Sequence, residues 1–415
     1  MVQCSNYRVI STCSIVVVLC AMLLRVRWSR EMDAYSDYLK EPALIWRNVK
    51  ENNRERFLCL LEMERGKEPT TMMPFRVNAR VLQKKGNFSA WVECCSGELR
   101  QDWVFINRAF QTVDGVEDIF TVLESMSVDA SANKVVVTEG IEVLIQLLRL
   151  KASERRKVYK SRSRLRLIEK VFESNAHVLD VSRSLCALVS ALANDLASTK
   201  SLADSELLDS IVSALARFAD DPELLKSGIK AIDLMSHNRQ LRIRATNLGA
   251  IEYIIYTMEK YTDDGMLLET CCSAIGSIVR KLPDSKARAA ASGIVTVLLR
   301  TMREHEHSPK LQKRALFAMV SLTEKYSRLK NRFGKRGIFA ILRAMAAHSA
   351  DQGMQRWACS AVYTFVFKNP GNTAAAKKMG AASKIARALQ HFGKSSRELR
   401  STCKEALSLV WKDED

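Results

Sequence analysis

The sequence predicts an all-α array of about six helical repeats, and three observations lead to this prediction. The chain of 415 residues contains only 16 Gly and 7 Pro, so it has few of the residues that break a large β fold into strands. Two independent sets of similar segments recur every 43 to 45 residues along the chain. In the first set, apolar residues follow a glycine at the spacing of one helix face, as in Ile251, Ile254, Ile255 and Met258.

An apolar segment near the N-terminus predicts a membrane anchor. Residues 9–24 (VISTCSIVVVLCAMLL) follow a short tail, residues 1–8, and contain no charged side chain. As a helix they would span about 24 Å, slightly less than the ~30 Å core of a bilayer. Arg25, Arg27 and Arg30 follow the segment, so the positive-inside rule predicts a retained signal anchor with the rest of the chain in the cytosol. The alternative is a buried N-terminal helix.

Two segments connect this anchor to the repeats. Residues 25–69 are rich in charge and end in a cluster that contains Gly66 and Pro69, which predicts a juxtamembrane helical linker. Residues 70–129 include an alternating stretch, a turn at residues 84–87 (KKGN) and a run of β-type residues. This pattern predicts a small β element.

The repeat domain is predicted to cover residues 130–415. Each repeat is expected to contain three helices. The first set of segments places a glycine before the second helix of a repeat, where it allows a sharp turn. These glycines are Gly249, Gly293, Gly337 and Gly380. The second set places an alanine in each third helix, where a small side chain allows close helix packing. These alanines are Ala187, Ala231, Ala274, Ala318, Ala361 and Ala406.

The pattern G-[AI]-[IV]-x-x-[LI], followed by a third helix with A-h-x-x-[hS], resembles the armadillo repeat family. The resemblance implies an α-solenoid whose third helices line a groove for extended or helical peptides. The first repeat is expected to begin at TEGIEVLIQLL, residues 138–148, and to be interrupted by a basic insertion. This insertion, residues 151–170, holds nine Lys or Arg against two Glu. It predicts either a site for RNA, phospholipid or an acidic protein, or a solvated loop.

Catalytic motifs are absent from the sequence. It contains no phosphate-binding glycine loop, nucleophile elbow or H-E-x-x-H zinc site. The pair His305 and His307 falls in a predicted polar loop rather than on one helix face. The 11 cysteines show no paired C-x-x-C spacing and are expected to be core residues in a reducing compartment. The alternative is a regulatory vicinal thiol pair at one of the two adjacent pairs, Cys94–Cys95 or Cys271–Cys272. We therefore expect no enzyme activity, metal or cofactor.

The predicted groove differs from that of armadillo proteins that bind nuclear-localisation signals, which carry ladders of Asn and Trp. The Trp position, one residue before each alanine, holds Cys186, Lys230, Ser273, Phe317, Ser360 and Glu405. The Asn position lies three residues after each alanine, and Leu409 occupies it in the last repeat. This departure and the net charge of +18 argue against basic nuclear peptides and favour an amphipathic helix. The predicted peptide-binding residues are Ser190, Leu234, Ser277, Ser321 and Thr364.

An acidic stretch in the second repeat interrupts the basic chain and is predicted to dock cationic segments. The alternative assigns Asp220, Asp221 and Glu223 to the start of a helix, where carboxylates cap amides and favour the helix dipole. The predicted acidic docking patch consists of Asp204, Glu206, Asp209, Asp220, Asp221, Glu223 and Asp233.

The order of anchor, linker and armadillo domain resembles the receptor subunit of the archaic translocase of the mitochondrial outer membrane in kinetoplastids. This resemblance implies a location in that membrane, with the repeats in the cytosol. It also implies binding of mitochondrial precursor proteins and their presequences, and contact with other translocase subunits. Two alternatives remain at this point: a scaffold that tethers a signalling or cytoskeletal complex to a membrane, and a nucleic-acid-binding solenoid.

Overall fold

The computed structural model describes Phe120 and residues 134–411. The predicted anchor at 9–24 and linker at 25–69 lie outside the described residues, as does the predicted β element at 70–129 apart from Phe120. The chain divides into two compact units, Met1–Arg155 and Arg156–Asp415, which are considered separately. Among the helices of the described part, none is both long and apolar enough to span a bilayer.

The described residues form eighteen helices and no strand. The helices are α1 (Lys134–Leu150), α2 (Ala152–Lys160), α3 (Arg162–Ser174), α4 (Leu179–Leu192), α5 (Leu196–Leu202), α6 (Leu207–Arg217), α7 (Pro222–Met235), α8 (Arg239–Asn247), α9 (Ala250–Lys260), α10 (Gly265–Val279), α11 (Pro283–Ala291), α12 (Ile294–Glu304), α13 (Pro309–Thr323), α14 (Ser327–Ala347), α15 (Gln352–Val366), α16 (Pro370–Lys378), α17 (Ala381–Phe392) and α18 (Arg397–Val410).

The second unit consists of six repeats of three helices, which confirms the predicted all-α solenoid. Each third helix packs against the third helix of the next repeat. The resulting third-helix row is α4, α7, α10, α13, α15 and α18. The second helices pack on one another in the same order, with the second half of α14 taking that place in repeat 5. Each repeat therefore shares its core with its neighbours, as in other solenoids.

The basic segment 151–170 does not interrupt a repeat, in contrast to the expected insertion. It forms α2 and the first part of α3, and Val158, Leu165 and Ile168 are buried. From Arg156 onward, this segment supplies the first and second helices of repeat 1, while the TEGIEVLIQLL stretch belongs to α1 in the first unit. The alignment of repeats 1 and 2 with the later repeats is hard to see in the sequence, because Ser161 and Ser205 occupy the position at which later repeats carry glycine.

Glycine makes the turn before the second helix as predicted in three repeats. Gly249, Gly293 and Gly380 have φ of 82°, 84° and 71°, in the left-handed region that glycine adopts without a steric penalty. Repeat 5 differs, because the turn falls at Gly334, with φ 48° and ψ −139°. Gly337 lies inside the second half of α14, where a Cβ would be 2.6 Å from Phe365 Cε1 and 2.8 Å from Phe333 Cβ. Close packing explains this glycine.

Gly337→Ala is therefore expected to lower the free energy of unfolding by about 1–3 kcal/mol, because overpacking outweighs the better helix propensity of alanine. Gly265→Ala is the matched control, since its Cβ would lie at an ordinary 3.6 Å from His305 Nδ1. Urea unfolding followed by circular dichroism measures both. A Gly337→Ala variant as stable as the parent would contradict the close packing of α14 on α15.

Buried cations hold the ends of the third helices. Lys286 donates to the carbonyl of Glu324, and Lys330 donates to that of Phe367 at 3.0 Å. Both lysines are buried, and burial lowers the pKa of each. Because the last carbonyls of a helix lack intrahelical partners and carry the negative end of its dipole, an ammonium group stabilises them. Some of the basic residues of the chain therefore stabilise contacts between helices.

Candidate functional site: the third-helix row

The predicted peptide-binding residues lie on the third helices, at equivalent positions of successive repeats. Ser190, Leu234, Ser277 and Thr364 are half-buried, whereas Ser321 is buried at 4% exposure. The half-buried hydroxyls already donate within the protein, so they face a ligand mainly as acceptors. Ser190 Oγ lies 3.1 Å from the carbonyl of Ser227, and Thr364 Oγ1 donates to that of Ser360 at 2.8 Å. The peptide-binding role of these residues stays a prediction.

Asp233 joins α7 to α10 within the row. Its carboxylate accepts hydrogen bonds from Ser273 Oγ at 2.9 Å and from Ser277 Oγ at 2.7 Å. Lys230 Nζ lies 3.8 Å from the same carboxylate, whose side chain is only 8% exposed. A buried carboxylate with these partners is part of the joint between repeats 2 and 3.

The other residues of the predicted acidic docking patch are spread over several turns and helices. Asp204 and Glu206 are exposed between α5 and α6. Asp221 caps α7 by accepting from the Leu224 amide at 2.6 Å, as the helix-start alternative predicts. Apart from Asp233, four of the seven acidic residues form ion pairs with cations of the same structure. The ion pairs are Asp209 with Arg244, Asp220 with Lys260, Asp221 with Arg183, and Glu223 with Lys226. The docking role of the patch stays a prediction.

Ion pairs also connect the third helices of neighbouring repeats. Arg183 Nη2 lies 2.9 Å from Asp221 Oδ2 at the start of the next third helix, and Lys313 Nζ lies 2.9 Å from Asp351 Oδ2 in the same arrangement. Arg356 pairs with Glu398 in the next third helix. These partly exposed pairs contribute little stability each, but they hold charged side chains in place along the third-helix row.

An aromatic surface lies beside these ion pairs in repeats 4 and 5. The rings of Phe317 and Trp357 meet edge to face, with centroids 5.4 Å apart, and the Arg356 guanidinium lies 5.3 Å from the Trp357 ring. Both aromatic side chains are half-buried. Further along α15, Tyr363 contacts Phe367, which is 39% exposed. We call Phe317 and Trp357 the aromatic surface.

The sequence analysis did not single out Trp357 as a binding residue. The sequence does contain a pattern that could have identified it. Trp357 lies four residues before Ala361 and therefore on the same face of α15 as Ser360 and Thr364. Phe317 stands at the position that carries Trp in the nuclear-import members. The two rings meet only because α13 packs beside α15.

The other candidate groups have partners within the fold. His305 Nε2 lies 2.6 Å from the carbonyl of Thr262, and Glu306 forms an ion pair with Arg343. Residues 134–411 contain no cluster of three or more His, Cys, Asp or Glu that could hold a metal ion. Cys271 and Cys272 are buried, and burial raises the pKa of both thiols, that of Cys272 to about 12. Both therefore remain protonated and unreactive at neutral pH.

Comparisons with known proteins place the chain among folds of the armadillo type. No family profile and no curated protein matches its sequence. In a structure titled for a phosphorylation switch that controls the interaction between cadherin and β-catenin, one chain is similar with a TM-score of 0.53 and 16% identity. The match covers 74% of this chain and 58% of that one. At this identity the likeness concerns the fold alone.

Two artificial proteins also match. A designed armadillo repeat protein has a TM-score of 0.44 and 14% identity, over 56% of this chain and 94% of its own. An engineered structural-genomics target has a TM-score of 0.47 and 17% identity, over 97% of this chain and 99% of its own.

Proposed function

We propose that this chain is a membrane-anchored receptor that binds polypeptide segments across its third-helix row. The armadillo fold favours a protein-binding scaffold, because a solenoid presents one helix of every repeat along a continuous surface. The observation that carries the proposal is the aromatic surface, where Phe317 and Trp357 offer half-buried rings beside Arg356. Half-buried rings of this kind are typical anchors of protein interfaces.

The cargo that we propose is the amphipathic presequence of a mitochondrial precursor. Its apolar face would lie on Phe317 and Trp357, and its cations would lie toward the carboxylates at the other end of the row. Asp180 and Glu223 are exposed members of this set, with 55% and 67% of their side chains accessible. An amphipathic helix satisfies its own backbone, so the row needs no Asn ladder to bind it.

The test of cargo binding compares two peptides with the full-length protein in detergent micelles. One is a fluorescein-labelled presequence peptide, and the other has the same composition in an order that abolishes its apolar face. We expect the amphipathic peptide to bind at least about tenfold more tightly, a difference of ~1.4 kcal/mol. Equal affinities measured by fluorescence anisotropy would mean that charge alone drives binding, which contradicts a role for the aromatic surface.

The proposed location rests on the charge-free segment 9–24 and the arginines that follow it. We propose that this segment anchors the chain in the mitochondrial outer membrane, with the repeats facing the cytosol. The protein should then resist carbonate extraction and lose its repeats when protease is added to intact mitochondria. Release of the full-length chain into the carbonate supernatant would contradict the anchor.

A further inference from the structure

The last two repeats carry a positive charge that the function proposed above does not use. Between residues 325 and 397 the sequence holds fifteen Lys or Arg and a single acidic residue, Asp351. That carboxylate is engaged at the start of α15, where it pairs with Lys313 and accepts from the Met354 amide at 2.9 Å. Residues 325–397 therefore have almost no internal compensation of their charge, although Glu398 and Glu405 follow in α18.

Four of the exposed cations lie where the first helix of a repeat turns into the second. Lys335 and Arg336 follow the turn at Gly334 in repeat 5, and Lys377 and Lys378 precede the turn at Gly380 in repeat 6. We call these four residues the corner cluster. None of them pairs with a carboxylate of the described part of the chain.

The two corners belong to neighbouring repeats that pack on each other, since α14 packs against both α16 and α17. The same turn in repeats 3 and 4 reads Asn247-Leu248-Gly249 and Ala291-Ser292-Gly293, so the charge is not a requirement of the fold.

An exposed aromatic ring stands within these cations. Phe339 is 57% exposed and lies nine residues before the C-cap of its helix. The same position of repeats 3 and 4 holds Glu252 and Thr296. Phe339 lies one helical turn after Lys335 and Arg336, on the same face of α14. The fold thus leaves a large apolar side chain in water at a position that holds a polar residue in repeats 3 and 4.

We propose that the corner cluster and Phe339 bind the surface of an anionic lipid bilayer. Lysine and arginine near such a surface contribute about 1 kcal/mol each through the phosphate and carboxylate groups of the lipids. The ring of Phe339 would enter the boundary between headgroups and acyl chains, where aromatic side chains are stabilised. Single-stranded nucleic acid is a poorer fit, because its binding sites use several aromatic platforms in series and this surface offers one ring.

The inference goes beyond cargo binding and is independent of the predicted anchor. The corner cluster belongs to the first and second helices of repeats 5 and 6, whereas the aromatic surface belongs to the third-helix row. Contact with a bilayer through the corners would leave the third-helix row free for a polypeptide.

The test is amine footprinting of the full-length protein with vesicles of phosphatidylcholine, either alone or in an equimolar mixture with phosphatidylserine. Acylation of Lys335, Lys377 and Lys378 is measured by mass spectrometry. We expect it to fall by about tenfold with the anionic vesicles only, because a corner cluster held against the anionic headgroups shields its amines from the reagent. Lys200 and Lys230, exposed lysines of repeat 2, should show no change and serve as internal references.

Two variants distinguish contact of the corner cluster with the bilayer from tethering of the chain by its predicted anchor. Lys335→Glu combined with Lys378→Glu should abolish the protection of Lys377, and Phe339→Ser should weaken it, whereas Lys200→Glu should not. Equal protection of all lysines, or protection by neutral vesicles, would overturn the proposal. Protection by a single-stranded RNA but not by vesicles would reassign the surface to nucleic acid. Loss of the anchor or of peptide binding is measured separately and leaves this result unaffected.

Discussion

Asp233→Lys is expected to lower the free energy of unfolding by about 3–5 kcal/mol, the usual cost of an uncompensated buried charge. The native carboxylate lies between α7 and α10, accepts from Ser273 and Ser277, and has only 8% of its side chain exposed. A lysine there could not accept the hydrogen bonds that Ser273 and Ser277 donate. It would also add a second cation beside Lys230. Chemical denaturation of the full-length protein in detergent, followed by far-UV circular dichroism, measures the change.

Asp204→Lys is the matched control, because Asp204 belongs to the same acidic stretch but is exposed between α5 and α6. Exposed substitutions of this kind usually change stability by less than about 0.5 kcal/mol. Asp233→Asn should fall between the two, since an amide oxygen still accepts from a serine. If Asp233→Lys were as stable as Asp204→Lys, the carboxylate would have to face solvent.

This contrast also determines how the acidic docking patch is tested. A variant that removes Asp233 together with Asp204 would lose affinity through unfolding as much as through charge. Asp204, Glu206 and Glu223 are exposed, so reversing their charge tests docking without disturbing the joint between repeats 2 and 3.

Trp357→Ala is expected to weaken binding of the presequence peptide by about 10- to 100-fold, the loss typical of an aromatic anchor at an interface. The substitution removes both the ring that Phe317 contacts and the surface on which Arg356 lies. Phe317→Ala should produce a smaller loss, and the double variant should lose less than the sum, because the two rings form one contact.

Tyr256→Ala is the control for this experiment. Tyr256 is 49% exposed on α9, a second helix outside the third-helix row. Its removal should leave the affinity unchanged. The melting temperature of each variant is recorded beside the affinity, and a peptide that binds Trp357→Ala as tightly as the parent would exclude the aromatic surface as the binding site.

Local rules explain why the sequence alone predicted the architecture of the repeats. The apolar spacing after each glycine, the small residue in each third helix and the period near 44 residues are readable without knowledge of any long-range contact. The left-handed turns at Gly249, Gly293 and Gly380 were predictable for the same reason, since the backbone there needs a residue without a Cβ. The N-cap of Asp221 before Pro222 also follows from neighbours in the chain.

The tertiary structure decided what depends on residues one repeat apart. Asp233 meets Ser273 and Ser277, 40 and 44 positions away, and Trp357 meets Phe317, because neighbouring third helices pack side by side. In repeat 5 the turn falls at Gly334, while Gly337 lies inside the helix against Phe365 of the next helix. Periodicity identifies which face of a helix is apolar, but it does not contain the contacts between repeats. Those contacts determine which polar groups become joints and which aromatic side chains, such as Phe339, remain exposed.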